Sequence, residues 1–264
     1  MISIRDIHVT FGKATPLENH VLKGIDLDIP KSQFVTVIGS NGAGKSTLLN
    51  TLSGEVSVDQ GSIVISETDC TKLKTHQRAK WIGRVFQDPK AGTCENLTIL
   101  ENLSLSLQRG EKRSLRNFAN SNQVEIFESR LRTLGLGLET RLNDKMGLLS
   151  GGQRQAISLL MATNKPCDLL LLDEHTAALD PKTARFVMEL TEKIIAEQQL
   201  TALMVTHSMR QALDFGDRTI MLHAGRIAFD VGFNERQNLD VPDLLRLFEK
   251  NQGEAISDDS LLLG

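Results

Sequence analysis

The sequence predicts an α/β fold with a mixed, mainly parallel sheet at its core. Short apolar runs of strand length alternate along the chain with longer segments in which apolar residues recur at helical spacing. Such alternation is typical of a parallel sheet whose faces are covered by helices. At 264 residues, with 40% apolar and 24% charged side chains, the chain is long enough for one large globular domain or two small ones.

The N-terminal residues predict an antiparallel pair of strands. Apolar residues alternate with polar ones from Ile2 to Phe11, and again from Ile25 to Ile29 after a polar turn. A period of two indicates strands with one buried face. The next run, Phe34 to Ile38, is apolar at almost every position, which is typical of a strand buried on both faces.

The remaining pattern continues as one domain over residues 1–250, with a helical insert at about 88–148 where the strand signals stop. Residues 251–264 are mostly polar, and we expect this tail to be loosely held. The further predicted elements are a helix at 45–52, strands at 61–66 and 81–86, helices at 99–107, 124–134 and 151–164, a strand at 169–172, a helix at 183–197, a strand at 202–206, a helix at 208–214, strands at 219–223 and 227–231, and a helix at 241–249.

Composition argues against several classes of protein. The net charge of −3 provides no bulk attraction for nucleic acid, so we expect no nucleic-acid partner. The apolar runs are strand-sized, so no membrane-spanning helix is expected, and the N-terminus lacks the layout of a signal peptide. Three cysteines, with no Cys-x-x-Cys pair, favour reduced thiols over a disulfide framework or a metal site.

A glycine-rich segment after the strand 34–38 matches the phosphate-binding loop of nucleotide-binding proteins, G-x-x-x-x-G-K-[ST]. Its glycines let backbone N–H groups turn toward phosphates, and the helix N-terminus behind them adds partial positive charge. In this interpretation Lys45 reaches the β and γ phosphates and the Ser46 hydroxyl binds Mg²⁺. A turn that binds nothing is the alternative, which the filled motif positions and correct flanks disfavour. The candidate nucleotide-binding residues are Gly39, Ser40, Asn41, Gly42, Ala43, Gly44, Lys45, Ser46 and Thr47.

Polar residues with suitable chemistry follow three other predicted strands. Asp173 and Glu174 come at the end of one, His207 follows another, and Gln87 follows a third. Since ligands bind at the carboxyl ends of strands in open α/β sheets, Asp173 is a candidate for the Mg²⁺ shell and Glu174 for polarising an attacking water. His207 is a candidate contact to the γ-phosphate, and Gln87 to Mg²⁺ and the water. The alternatives are solvated strand ends, a capping or core histidine, and a surface glutamine.

A second glycine pair opens the helix at 151–164. Ser150 precedes Gly151, Gly152 and Gln153, and serine is a good helix N-cap. However, two glycines lower helix stability, so the need to start a helix does not by itself explain the glycine pair. Close approach of a ligand to the backbone explains it better.

With these residues, the chain resembles the ATP-binding cassette (ABC) ATPases over essentially its full length. Six family motifs occur in the family's order, which makes the resemblance specific. They are the Walker A loop at 39–47, the Q-loop glutamine at Gln87, the signature at 149–153, Walker B at 169–174, the D-loop at 177–180 and the switch histidine at His207.

The resemblance implies a P-loop NTPase domain of the ABC type, with an antiparallel β-subdomain and an inserted helical subdomain. It implies ATP and Mg²⁺ as cofactors, with Ser46, Gln87 and Asp173 near the metal. It also implies a head-to-tail homodimer in which each ATP lies between the Walker A loop of one copy and the signature of the other. The residues that would meet the partner's nucleotide or line the shared interface are Ser150, Gly151, Gly152, Gln153 and Asp180.

Two positions depart from the family pattern. His175 stands where the family usually has proline after the Walker B glutamate. Because proline restricts φ, we expect the loop toward Asp180 to be somewhat freer, while the intact Glu174 predicts hydrolysis. The family often stacks adenine on a tyrosine, and this chain contains no tyrosine. Phe11 is the best candidate for that role, with a strand-end core residue as the alternative.

The function implied is the ATP-hydrolysing subunit of a bacterial ABC transporter, peripheral on the cytoplasmic face of the cell membrane. Separate transmembrane permease subunits, and indirectly a substrate-binding protein, would be its partners. The strings at 83–89 and 172–184 are similar to those of importers linked to aromatic amino acids of the tryptophan type. The alternative is a soluble ABC ATPase of an assembly machine, such as the iron–sulfur cluster assembly type, without a transport role.

Overall fold

The computed structural model describes residues 1–111 and 121–252. The elements in those residues are β1 (Ile2–Phe11), β2 (Asn19–Ile29), β3 (Phe34–Ile38), α1 (Lys45–Ser53), β4 (Gln60–Ile65), β5 (Thr68–Asp69), α2 (Thr75–Arg78), β6 (Ile82–Val85), α3 (Ile99–Ser106), α4 (Ser121–Arg132), α5 (Gly151–Thr163), β7 (Leu169–Asp173), α6 (Pro181–Gln198), β8 (Ala202–Val205), α7 (Met209–Asp214), β9 (Arg218–His223), β10 (Arg226–Val231), α8 (Phe233–Arg236) and α9 (Val241–Gln252). Two 3₁₀ turns lie at Leu138–Thr140 and Met146–Leu148.

The strands form two sheets, as predicted. The larger sheet has the order β10-β9-β3-β8-β7-β6, and all its neighbours are parallel except β10 with β9. The smaller sheet is antiparallel, with the order β2-β1-β4-β5. Ile2 lies opposite Ile29 across β1 and β2. The prediction of a mixed sheet with a separate antiparallel β-subdomain is therefore confirmed.

The larger sheet separates two apolar layers. On β7, Leu169 and Leu171 pack in one cluster with α1 and the smaller sheet, whereas Leu170 and Leu172 pack in another with α3 to α6. Successive residues of a strand point to opposite faces, so a continuous apolar run serves both layers. Strand β7 is therefore buried between the two apolar layers, and its carboxyl end lies at one edge of the larger sheet.

Helix α6 begins two residues before the predicted position. The Asp180 carboxylate accepts a hydrogen bond from the Thr183 backbone N–H at 3.1 Å, and Pro181 follows the cap directly. Both features favour a helix start at this point. The signal for the start is therefore capping chemistry, which precedes the first apolar repeat of the helix.

Several short elements were not predicted, namely β5, α2 and α8, because they are too short to show a period. Helix α2 has a clear role all the same. The buried Arg78 guanidinium donates to the carbonyls of Thr51 and Leu52, both at 2.7 Å, and so caps the C-terminus of α1. At the other end of the chain, residues 253–264 of the predicted loose tail lie outside the described residues.

Within the described parts of the chain, no helix combines the length and apolarity needed to cross a membrane.

Candidate active site

The glycine-rich loop and the predicted strand-end residues lie side by side along one edge of the larger sheet. The glycine-rich loop follows β3, His207 follows β8, Asp173 and Glu174 end β7, and Gln87 follows β6. These four strands are neighbours in the order β3-β8-β7-β6 and are all parallel. Because parallel strands present their carboxyl ends at the same edge, residues up to 168 positions apart in the sequence, Gly39 and His207, share one cleft.

The glycines of the loop adopt backbone conformations that favour glycine. The φ angles of Gly39, Gly42 and Gly44 are 152°, 78° and 103°. A Cβ at Gly39 would lie 2.2 Å from the Leu222 carbonyl oxygen, so that glycine is required by the close approach of β9. A Cβ at Gly42 would meet no atom within 4 Å. Gly42 therefore faces open space, as a cradle for a ligand would require.

The loop is electrostatically suited to an anion. Helix α1 begins after Gly44 with no side chain capping it and no acidic residue in its first turn. The buried Lys45 ammonium donates to the carbonyls of Gly39 at 2.5 Å and Ser40 at 3.1 Å, which holds it at the loop. Helix N–H groups and an ammonium at one concave loop are the donor set that binds phosphates. Ser46 is exposed in the first turn of the same helix.

Glu174, His207 and Gln87 meet at the carboxyl ends of the strands. The Glu174 Oε1 lies 2.6 Å from the His207 Nε2, and the Gln87 amide donates to the Glu174 Oε2 at 3.4 Å. Glu174 has a φ of 43° and its side chain is only 9% exposed. Burial raises the pKa of the Glu174 carboxyl; Lys45 opposes that rise and Asp173 adds to it. A raised pKa makes this carboxylate a stronger proton acceptor.

An arginine that the motifs did not single out lies against Asp173. The Arg84 guanidinium Nη2 donates to the Asp173 Oδ2 at 2.9 Å. Arg84 belongs to β6, between the buried Ile82 and Val85. A charged residue inside an otherwise apolar strand was the available signal, since buried charges are almost always paired.

A glutamine on α7 connects the loops that carry Glu174 and His207. The Thr206 hydroxyl donates to the Gln211 Oε1 at 2.9 Å, and the Gln211 amide donates to the Thr176 hydroxyl oxygen at 3.4 Å. Each threonine is the neighbour or near neighbour of a predicted site residue. No motif position indicated Gln211, because its role depends on two loops that meet only in the folded chain.

His175, in place of the family's proline, is anchored rather than free. Its side chain is 2% exposed, and its Nε2 lies 3.0 Å from the Thr191 Oγ1 on α6. Because the Thr191 hydroxyl donates to the Val187 carbonyl, the imidazole Nε2–H is the donor of this pair. Burial lowers the pKa of His175 to about 4, so the ring is neutral at physiological pH. The loop lacks proline's restriction of φ but has a side-chain anchor instead.

The second glycine pair opens α5 beside the start of α6. Ser150 caps α5: its hydroxyl accepts from the Gln153 N–H at 3.3 Å, and the Gln153 side chain accepts from the Ser150 N–H at 3.2 Å. A Cβ on Gly152 would lie 2.1 Å from the Thr183 methyl. Packing within the chain therefore supplies a reason for Gly152 besides ligand approach. One on Gly151 would lie 3.3 Å from the Leu179 side chain.

Phe11 is exposed at the end of β1, in the hairpin that packs beside the glycine-rich loop. The Gly225 N–H donates to the Ala43 carbonyl at 3.2 Å, and the Lys23 N–H of β2 donates to the Gly225 carbonyl at 2.9 Å. A core role for Phe11 is thus disfavoured, and its ring is available for stacking.

A phosphate-binding loop between a central parallel strand and a helix, beside a carboxylate-histidine pair, defines a P-loop ATPase. The chain belongs to the ABC transporter family, whose family model matches residues 22–177. It is accordingly an ATP-binding domain of a transport ATPase.

Curated relatives support this assignment over nearly the whole chain. The chain is 44% identical to the tyrosine transport ATP-binding protein of Clostridioides difficile (strain R20291), covering 94% of this chain and 99% of that protein. It is 34% identical to a phosphonates import ATP-binding protein of Synechococcus sp. (strain JA-2-3B'a(2-13)), covering 84% and 82%.

Solved structures agree. The dimeric structure of a bacterial ABC transporter cassette superposes with a TM-score of 0.74 at 28% identity, covering 88% of this chain and 99% of that one. A dimeric post-hydrolysis state of an ATP-binding cassette, bound to ADP and Pi, superposes with a TM-score of 0.73 at 29% identity and with the same coverage.

Proposed function

We propose that this chain is the ATP-hydrolysing subunit of a membrane importer for a small solute, with an aromatic amino acid as the favoured cargo. The observation that carries the proposal is the 44% identity to a tyrosine transport ATP-binding protein across almost the full length of both chains. In this role the chain is peripheral, on the cytoplasmic face of the membrane. It binds transmembrane permease subunits directly and a substrate-binding protein indirectly.

In the proposed mechanism, ATP binds with its phosphates in the loop 39–47 and its adenine on Phe11. The open space at Gly42 and the ammonium of Lys45 support this placement. The oxygen donors of Ser46, Asp173 and Gln87 fit Mg²⁺, which when bound neutralises phosphate charge.

Glu174 then accepts the proton of the water that attacks the γ-phosphate. Its burial, which raises the pKa of the carboxyl, and its contact with His207 support this assignment, because a carboxylate of raised pKa in a set orientation is a better proton acceptor. His207 and Gln87 orient Glu174 and the water. Catalysis in this scheme depends mainly on positioning and charge stabilisation.

A head-to-tail homodimer completes the proposed site. Ser150, Gly151, Gly152 and Gln153 would contact the nucleotide held by the partner, with Asp180 at the shared interface. The exposure of Ser150 at the start of α5 supports this, as does the dimeric state of two similar cassettes. A soluble assembly ATPase is the alternative, and the relatives described above, which are named for transport, favour the importer.

Glu174→Gln tests the ATPase and the dimer together. The amide cannot accept the proton, so we expect turnover to fall about 10²–10⁴-fold while ATP binding is retained. Size-exclusion chromatography with Mg²⁺ and ATP should then show a stable dimer. Glu197→Gln, at an exposed position of α6, is the control and should leave turnover and elution unchanged. Wild-type turnover in Glu174→Gln would remove Glu174 from the mechanism.

Recovery from native membranes tests the transport role. The tagged chain, purified from gently solubilised membranes, should carry permease subunits identifiable by mass spectrometry. Cells that contain Glu174→Gln should lose uptake of labelled tyrosine, tryptophan or phenylalanine. A chain recovered without any membrane protein would contradict the importer assignment, whereas normal aromatic uptake would contradict only the cargo.

A further inference from the structure

We propose that Arg84 is a positioning residue of the metal site, where its guanidinium holds the Asp173 carboxylate in a set orientation relative to the P-loop helix α1. The inference deepens the proposed function and rests on it, because it assumes that Mg²⁺ and nucleotide bind at this edge. Arg84 itself touches neither nucleotide nor metal in this scheme. It acts through Asp173.

The guanidinium of Arg84 joins three elements through short contacts. Its Nη2 donates to the Asp173 Oδ2 at 2.9 Å and to the Asn50 Oδ1 at 2.8 Å, and its Nη1 donates to the Glu55 Oε1 at 2.7 Å. The guanidinium also lies over the Phe86 ring, 4.6 Å from its centre. A planar fork held by this many partners has one orientation available, unlike an ammonium on a flexible stem.

These contacts connect the two halves of the proposed metal site. Asn50 lies on α1, the same helix that carries Ser46 in its first turn, whereas Asp173 ends β7. One rigid helix therefore carries both the hydroxyl expected at the metal and the amide oxygen that fixes Arg84. Through Arg84, the position of the Asp173 carboxylate is tied to that of Ser46.

Burial makes the link effective. The side chain of Arg84 is 11% exposed and that of Asp173 is 15% exposed, so solvent screens their interaction weakly. With Arg84 on Oδ2, the Oδ1 of Asp173 is the oxygen left to face a hydrated metal. A fixed carboxylate loses less entropy on metal binding than a mobile one.

Charge balance shows that Arg84 orients Asp173 without cancelling its attraction for a cation. Arg84 pairs with both Glu55 and Asp173, so the three groups together carry a net negative charge. Residues that hydrogen-bond to a metal-coordinating side chain contribute to metal affinity even though they do not contact the metal. The effect of removing Arg84 should therefore appear in metal-dependent binding.

The test compares binding of N-methylanthraniloyl-ADP to the purified chain in Mg²⁺ and in EDTA. For the wild type, Mg²⁺ should tighten binding. For Arg84→Gln, we expect this Mg²⁺-dependent gain to shrink by about tenfold or more, while binding in EDTA stays within about twofold of the wild type. Arg84→Lys keeps the charge but loses the fork, and should resemble Arg84→Gln.

Arg218→Gln is the matched control, because Arg218 on β9 is similarly buried and paired with Asp230, away from β7. It should keep the full Mg²⁺-dependent gain. An undiminished gain in both Arg84 variants, or an equal loss with and without Mg²⁺, would overturn the proposal. Arg84→Lys provides the measurement if Arg84→Gln does not fold. No Mg²⁺-dependent gain in the wild type would instead overturn the proposed function itself.

Discussion

The two glycine-led helices, α1 and α5, begin in opposite ways. At α1, Gly44 is left-handed, no side chain caps the helix, and Gly42 faces open space. At α5, Ser150 and Gln153 cap each other reciprocally, and the space beside Gly152 is filled by α6. The two motifs look alike in sequence as phosphate-binding helix starts. They differ in the structure, because side chains of the protein cap the N-terminus of α5 and none caps that of α1.

The difference assigns nucleotide binding to the start of α1 and a role in turnover to the start of α5. The start of α1 keeps its N–H donors and an ammonium directed at one cradle, so a single chain has what nucleotide binding needs. The start of α5 is capped by side chains of the chain itself, and it exposes Ser150 to solvent while Gly152 is buried. Under the proposed dimer, damage to α1 should abolish binding, whereas damage to α5 should spare binding and abolish turnover.

Ser150→Arg should have the largest effect. The bulky side chain would obstruct the partner's nucleotide, and loss of one preorganised donor to a developing charge costs about 10²–10³ in turnover. Binding of ATP to the chain should be unchanged by fluorescence titration. Thr98→Arg is the matched control, because Thr98 caps α3 with the same reciprocal box through Glu101. If Ser150→Arg hydrolysed ATP like the wild type, the dimeric site would be wrong.

Stability between pH 7 and pH 4 should depend on His175, in the loop between β7 and α6, the helix that packs against the start of α5. Its pKa is about 4 in the folded chain, against 6.5 in the unfolded chain. The unfolded state therefore binds a proton first, so this stability is complete above pH 6.5 and is lost as the pH falls toward 4. At about 1.4 kcal/mol per pH unit, the loss is about 2 kcal/mol by pH 5.

Urea unfolding of nucleotide-free protein at pH 7 and pH 5 measures that loss. His175→Gln keeps a donor for Thr191 but does not titrate, so the difference between the two proteins isolates His175 from the other histidines. Equal pH dependence in the two proteins would contradict the buried neutral imidazole.

Lys45→Met should weaken ATP binding about 10–100-fold, since a hydrogen bond to a charged group contributes about 1.5–3 kcal/mol. Turnover should fall at least in parallel. The control is Lys193→Met, at an exposed position of α6, which should bind ATP normally. Normal binding by Lys45→Met would show that α1 is no more specialised for phosphate than α5.

Gly152→Ala should destabilise the fold by about 1–3 kcal/mol, because its methyl meets Thr183 in a packed contact. The double variant with Thr183→Ser removes the opposing methyl and should regain most of that stability in urea unfolding. ATPase activity of the double variant then sharpens the comparison. Recovered turnover means that Gly152 serves packing, whereas stable but inactive protein means that a ligand also needs its bare backbone.

The arrangement of the candidate site was largely predictable because its parts are local in sequence. The loop 39–47 is defined by residue types at fixed spacing, and Asp173, Glu174, His207 and Gln87 each follow a strand. Once the strands are parallel, their ends must share one edge. The contact of Glu174 with His207 follows from β7 and β8 being neighbours.

Other features depended on contacts between distant parts of the chain. The bond of Arg84 to Asp173 spans 89 positions, and the same guanidinium reaches Asn50, 34 positions away. The anchoring of His175 by Thr191 is a restraint that the sequence did not indicate, and the packing of Thr183 gives Gly152 a second role. None of these follows from spacing, because each depends on which helix faces which strand end.

The sequence by itself thus determined the class of protein, the phosphate loop and the strand-end residues, because backbone periodicity and motif spacing are local properties of the chain. Only the tertiary structure decided which side chains orient the carboxylates and which glycine faces open space. These contacts depend on the distances between elements that are far apart in sequence and packed together in the fold. One methyl group, such as that of Thr183 beside Gly152, is enough to fill a position that would otherwise be open to a ligand.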